Sequence, residues 1–334
     1  MEKYRVGIVG ATGMVGQRFI SLLKDHPWFE VNCVAASARS AGKTYREAVG
    51  ERWAFAWEIP EKVAGMTVVD AADIDEVSKH VDFVFCAVDM KKDEIRALEE
   101  AYAKHEIPVV SNNSACRGIE DVPMVVPEIN ADHLAVIEAQ KKRLGTKNGF
   151  IAVKPNCSIQ SYVPALTPLL DFEPEKVSVC TYQAISGAGK TFKTWPEMVD
   201  NVIPYIGGED EKSENEPLKL WGHVEDGKIV NAALPVISAQ CLRVACSDGH
   251  MAAVSVSFKK KPTIEQIKER WANYETEAQR LELPSAPKPF LQYFEDPSRP
   301  QTRLDRDFQN GFGVSIGRLR EDKLFDYRFV CLSH

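Results

Sequence analysis

Residues 4–16 read Tyr4-Arg5-Val6-Gly7-Ile8-Val9-Gly10-Ala11-Thr12-Gly13-Met14-Val15-Gly16. The first six are strand-like, and glycine then recurs at 10, 13 and 16. From Gly13 to Lys24 the apolar residues Val15, Phe19, Leu22 and Leu23 fall at helical spacing, so the glycines open a helix directly after a strand. Glycine here lets the backbone turn tightly and approach a pyrophosphate, whose charge sits at the helix N-terminus. The spacing is G-x-x-G-x-x-G, not the commoner G-x-G-x-x-G, and a plain strand–helix corner is the competing reading. Its place as the first turn of a βαβ pattern favours a dinucleotide site at Gly10, Thr12, Gly13, Met14 and Val15.

Outward from that turn, short apolar runs alternate with amphipathic stretches. Strands are expected at 29–36, 81–88, 108–110 and 150–153, and a helix at 91–104. This alternation predicts an α/β domain with a parallel, Rossmann-like sheet. An NAD site would place an acid at the end of the second strand to bind the ribose 2′-hydroxyl. Here the strand runs into Ala35-Ala36-Ser37-Ala38-Arg39-Ser40, with Lys43 following. A cation and hydroxyl donors at Ser37, Arg39 and Ser40 suit a 2′-phosphate. NADP is therefore favoured over NAD, a solvated loop being the alternative.

From about residue 157 the strand candidates lengthen and alternate, at 176–185, 251–258, 314–319 and 325–332, the last two resembling a hairpin. Helix candidates occupy 191–203 and 263–278. The expected organisation is an NADP-binding Rossmann-like domain over 1–156. An α+β catalytic domain with a mixed or antiparallel sheet follows over 157–334.

The 334 residues carry 41 Lys+Arg against 48 Asp+Glu, a net charge of −7 that speaks against a nucleic-acid partner. No apolar run is long enough for a membrane span. Eight cysteines are scattered without a C-x-x-C pair, which reads as reduced thiols in a cytoplasmic protein, with no metal site suggested by ligand spacing. Only Cys157 has a setting that suggests chemistry. It follows Lys154-Pro155-Asn156 and precedes a helix-like SIQSYVPALTPLL, where the helix N-terminus favours a thiolate. A thiolate nucleophile needs an acid/base within reach. Of the seven histidines, His250 is the best placed, between a Ser247-Asp248-Gly249 turn and the strand MAAVSVSF. Arg243 lies on the strand before that turn and is expected to share its cleft. A solvated turn histidine and a surface arginine are the plainer alternative.

Taken together, these segments resemble the aspartate-β-semialdehyde dehydrogenase family in its archaeal and fungal form. The resemblance runs through GATGMVG, AASARSAGK, SNNSACRG at 111–118 and PNCSIQ around Cys157. It continues through TYQAISGAGK at 181–190, NVIPYIGGEDEK at 201–212, CLRVACSDGH at 241–250 and GVSIGRLRED at 313–322.

The resemblance implies a cysteine-thioester enzyme of lysine, threonine, methionine and isoleucine biosynthesis. It would reduce L-aspartyl 4-phosphate to L-aspartate 4-semialdehyde with NADPH, reversibly and without a metal. Cys157 would be the nucleophile, with Asn156 beside it, and His250 the acid/base. Gln183 would orient the acyl group and Arg243 would pair with the substrate's α-carboxylate. Glu209 and Lys212 would line the substrate side, unless they are merely a surface ion pair. Arg117 would hold phosphate, while Ser186 and Gly187 approach the cofactor. A homodimer or homotetramer is implied, commonly through the second-domain sheet.

In one respect the sequence departs from the pattern. Family chains usually continue beyond the Ser-His end of the last strand into a helix that returns to the first domain. Here the sequence stops at Leu332-Ser333-His334, so that completing helix is expected to be absent after 334. The nearest rival is the similar malonyl-CoA reductase of some archaea, which needs no phosphate pocket. N-acetylglutamyl phosphate reductase is a more distant cousin.

Overall fold

Strand one is buried along its last four residues because Val6, Ile8 and Val9 sit in the middle of a parallel sheet. A computed structural model describes residues 2–334 and divides the chain into two units. The first comprises residues up to Val125, Asp132–Lys154 and Val224–Ile229. The second comprises Val126–Ala131, Pro155–His223 and Val230–His334.

The first unit holds six strands: β1 (Tyr4–Val9), β2 (Phe29–Ala36), β3 (Val69–Asp70), β4 (Phe83–Cys86), β5 (Val109–Ser111) and β6 (Ile151–Val153). All pair in parallel, in the order β3-β2-β1-β4-β5-β6. Connections leave β1 towards β2 on one side and return to β4 on the other. The turn after β1 therefore lies where the strand order reverses, the place where such sheets bind ligands. Helix α1 (Met14–Leu23) follows it, and α2 (Lys92–Lys104) joins β4 to β5. Val6, Ile8, Ile20, Val31, Val34 and Tyr45 form the core beside it, with Phe19, Phe83 and Phe85 packed against them.

Further along come β7 (Pro174–Gln183), β8 (Val202–Ile203), a hairpin β9 (His223–Glu225) and β10 (Lys228–Val230), and β11 (Val236–Val244). The last four are β12 (His250–Phe258), β13 (Leu291–Phe294), β14 (Val314–Glu321) and β15 (Tyr327–Ser333). The sheet of the second unit is seven-stranded, in the order β13-β14-β15-β12-β7-β11-β8. It is mixed: β7 pairs with β11 in parallel and with β12 antiparallel, while β14 and β15 form the expected antiparallel pair. Three helices matter here: α3 (Ile159–Leu166), α4 (Glu209–Leu220) and α5 (Ile264–Ala272). Helix α3 packs on β12 and β15. Trp271 of α5 is almost wholly buried, donates Nε1–H to the Ala165 carbonyl at 2.7 Å and meets Phe329 edge-on at 5.3 Å.

One expectation needed revision. Residues 191–203 are not a helix. Thr191 and Thr194 close a turn on each other, Pro196 has no N–H to continue a helix, and only a short 3-10 turn at Pro196–Met198 precedes β8. The strands of Arg243 and His250 flank β7 in the sheet order.

Candidate active site

In the second unit the chain enters α3 through a side-chain clasp. The Oδ1 of Asn156 accepts the N–H and the hydroxyl of Ser158 at 2.8 and 2.7 Å, so the chain bends around Cys157 immediately before the helix. The thiol is only partly buried. Burial pushes the thiols of Cys33 and Cys241 up to about 11, and it raises those of Cys86, Cys116, Cys180 and Cys331. These six are protonated at neutral pH, whereas Cys157 faces an imidazole. The Nε2 of His250 lies 3.2 Å from its Sγ. The other ring nitrogen, Nδ1, accepts the N–H of Ala184 at 3.0 Å.

Register explains why these side chains converge. Parallel pairing of β11 with β7 sets Arg243 beside Gln183, the last residue of β7. Arg243 is buried and its Nη1 donates to the Ala184 carbonyl at 2.7 Å. Burial lowers its pKa, against the opposing effect of Cys157 and Glu209.

Glu209 opens α4 after Gly208, which turns with φ 71°. The helix is held on β11 by its acids: Asp210 accepts the Cys241 N–H at 2.8 Å and Glu214 the Ala239 N–H at 3.1 Å. That docking places the nearly buried Glu209 carboxylate under Asn156, whose Nδ2 donates to both its oxygens at 3.0 and 2.8 Å. Lys212 reaches it at 2.7 Å and Gln183 at 3.4 Å. Burial alone would raise the Glu209 carboxyl, but the hydrogen bond and charge of Lys212, then Asn156 and Gln183, outweigh it and keep it below its ordinary value. The Glu209–Lys212 pair is thus part of an interior network rather than a surface ion pair.

Cys157, His250, Gln183, Arg243, Glu209, Lys212 and Asn156 therefore all fall within the second unit. Gly187 joins them: a Cβ there would lie 2.9 Å from Arg243 Nη1 and 3.0 Å from both Cε1 and Nε2 of His250. Ser186 donates its N–H to the Ser247 carbonyl at 3.1 Å, tying this loop to the turn before His250. The main chain of Ala184 went unforeseen, because backbone groups carry no side-chain signature in a sequence.

Arg117 and the glycine turn belong to the first unit. Arg117 is partly buried and its Nη2 donates to the Asn112 carbonyl at 3.2 Å. Gly10 has φ 90°, and a Cβ on it would run into the Ala87 carbonyl, while one on Gly16 would run into the Gly10 carbonyl. No side chain caps the start of α1 and no acid lies in its first turn. Gln17 and Tyr45 hold the turn from behind, donating to the carbonyls of Thr12 and Ala11 at 3.0 and 2.8 Å. At the end of β2, Ser37, Arg39 and Ser40 form a surface turn closed by the Ser40 N–H on the Ser37 carbonyl at 2.8 Å. Open helix N–H groups, a close glycine corner and an exposed cation fit a phosphorylated dinucleotide.

Two family descriptions match the chain. "Semialdehyde dehydrogenase, NAD binding domain" matches residues 5–137, and "Semialdehyde dehydrogenase, dimerisation domain" matches 166–334. The chain is 42% identical to an aspartate-semialdehyde dehydrogenase of Archaeoglobus fulgidus, over 99% of its own length and 93% of the relative's. It is 44% identical to that of Schizosaccharomyces pombe, over 99% and 92%. The solved aspartate-semialdehyde dehydrogenase of Candida albicans with NADP superposes with a TM-score of 0.89 at 37% identity, covering 100% of this chain and 94% of that one. The chain belongs to the aspartate-semialdehyde dehydrogenase family.

Proposed function

We propose that this chain interconverts L-aspartyl 4-phosphate and L-aspartate 4-semialdehyde with NADP(H), through a thioester on Cys157. The observation that carries the reading is the 3.2 Å approach of His250 Nε2 to Cys157 Sγ, within a chain of this family. In the oxidative direction the sulfur adds to the aldehyde carbon, and the carbonyl electron pair moves onto oxygen. His250 holds the proton at Nε2, where it serves the sulfur and then the thiohemiacetal oxygen. NADP, held by the residues named below, would supply the hydride acceptor for the thiohemiacetal carbon. Phosphate then cleaves the thioester to the acyl phosphate and returns the sulfur as thiolate.

Arg243 offers a planar fork suited to the substrate α-carboxylate, and the Glu209 carboxylate suits its ammonium group. Gln183 orients the acyl group between them. Asn156 fixes both Glu209 and the bend at Cys157. Arg117 holds phosphate. Gly10, Thr12, Gly13, Met14 and Val15 take the pyrophosphate, Ser37, Arg39 and Ser40 the 2′-phosphate, and Ser186 and Gly187 the nicotinamide side. The exposed cation at the end of β2 is what supports NADP over NAD.

The chain acts as a homodimer or homotetramer. Support comes from the match to a dimerisation domain and from a sheet face that leaves Tyr182 and Val236 exposed. We infer a cytoplasmic location from the amino-acid biosynthetic role implied by the family; no helix among the described residues is long and apolar enough to cross a membrane.

The test is an absorbance assay with two substrate pairs. Phosphate-dependent formation of NADPH from aspartate semialdehyde, without NADPH oxidation by malonyl-CoA, is the expected result. Turnover of malonyl-CoA in place of the semialdehyde overturns the substrate assignment.

A further inference from the structure

Three bonds run in series through this site. Arg243 Nη1 donates to the carbonyl of Ala184, the N–H of Ala184 donates to His250 Nδ1, and His250 Nε2 faces Cys157 Sγ. One backbone residue thus touches both the arginine and the imidazole. The neutral imidazole carries one proton, and a nitrogen that accepts an N–H cannot also bear it. The ring proton is therefore on Nε2, aimed at the sulfur.

What keeps the Ala184 N–H pointed at the ring? Ala184 is the first residue beyond β7, where the ladder no longer fixes its peptide groups. Its carbonyl accepts two donors, Arg243 Nη1 at 2.7 Å and the Gly187 N–H at 3.2 Å. The first is the shorter and is charge-assisted, the stronger kind. Gly187 leaves the space in which Arg243 and His250 lie, since a Cβ there would crowd both.

We propose that Arg243, besides any contact with substrate, is a positioning residue for His250: through Ala184 it fixes the ring's tautomer and its aim at Cys157 before substrate arrives. This rests on the reading of Cys157 and His250 as nucleophile and acid/base, but not on Arg243 binding a carboxylate. It predicts that the fork geometry of Arg243 matters to the empty enzyme. A lysine retains the charge that acts on the sulfur but loses the fork.

The test compares wild type with Arg243→Lys, both free of substrate. Two measurements are made: ¹⁵N NMR of the histidine ring nitrogens, assigned with His250→Gln, and the rate of Cys157 alkylation by iodoacetamide, which has no carboxylate. The wild-type His250 should show an unprotonated Nδ1 and a protonated Nε2. In Arg243→Lys those resonances should shift, and the alkylation rate should change by about threefold to tenfold, the effect of one net hydrogen bond. A thermal unfolding curve matching wild type checks that the fold is intact. A wild-type Nδ1–H tautomer overturns the proposal, as do unchanged resonances with an unchanged alkylation rate in the variant. The KM for aspartate semialdehyde is a separate arm. If it rises while the substrate-free measurements stay fixed, Arg243 reads the carboxylate only and the positioning role fails. If the substrate-free measurements move while KM does not, the positioning role stands and the carboxylate assignment fails. Loss of alkylation at Cys157 in wild type itself marks failure of the nucleophile reading beneath both.

Discussion

His250 Nε2 and Cys157 Sγ meet at 3.2 Å although 93 positions separate them in the chain. One begins a strand and the other stands before a helix, so the approach is made by the docking of α3 on β12 and β15. Removing the sulfur tests it directly. Cys157→Ser should abolish phosphate-dependent reduction of NADP, with an unfolding midpoint near wild type because the residue is only partly buried. A serine variant with near-wild-type turnover would falsify the nucleophile assignment.

His250→Ala should lower kcat by about 100-fold to 10,000-fold, the usual contribution of a positioned acid/base. The KM for semialdehyde should change far less. A loss confined to KM would make the ring a binding group instead.

Arg39 is exposed at the end of β2, where no acid is present. Arg39→Ala should weaken NADP by about tenfold to a hundredfold, the worth of a hydrogen bond to a charged group, and leave NAD nearly unchanged. Titration of both dinucleotides measures this; equal weakening of the two counts against a 2′-phosphate contact.

Arg117→Ala should raise the KM for phosphate while the KM for semialdehyde stays close to wild type. An unchanged phosphate KM removes Arg117 from that site.

The turn before His250 carries Asp248, whose carboxyl is lowered to about 2, chiefly by the neighbouring His334 ring, whose Nε2 lies 3.9 Å from its Oδ1, and against the effect of burial. A depressed carboxyl contributes stability that is present above its unfolded value, near 3.9, and is lost as pH falls through the folded one. Denaturant unfolding of wild type and Asp248→Asn should therefore differ above about pH 4 and converge towards pH 2. A gap that persists to the acid end assigns the effect to packing.

Much of this was legible because local pattern and tertiary role coincide. The strand–glycine–helix run at residues 4–24 requires a tight corner, and its alternation with later apolar strands implies parallel pairing. Cys157 was legible from its neighbours Pro155 and Asn156 and the helix beyond. What local pattern misjudged depended on long-range partners. Residues 191–203 have helical spacing of apolar groups, yet Pro196 and the Thr191–Thr194 turn decide otherwise. Helix α4 went unread as a helix, since its acids are explained only by the β11 N–H groups they accept. The placing of β7 between Arg243 and His250 left no trace in spacing, because their strands are consecutive in the chain and only long-range pairing separates them. The role of Ala184 depends on its peptide groups alone.

The first unit is not one continuous stretch, for it claims the six residues Val224–Ile229 from late in the sequence. Ile229 donates its N–H to the Glu120 carbonyl at 2.9 Å, and Lys228 pairs with the Glu120 side chain. A gene fragment stopping at residue 156 would leave the Glu120 carbonyl without that donor. Anyone wishing to isolate the nucleotide-binding half for calorimetry should therefore splice the 224–229 loop back in, or express the whole chain.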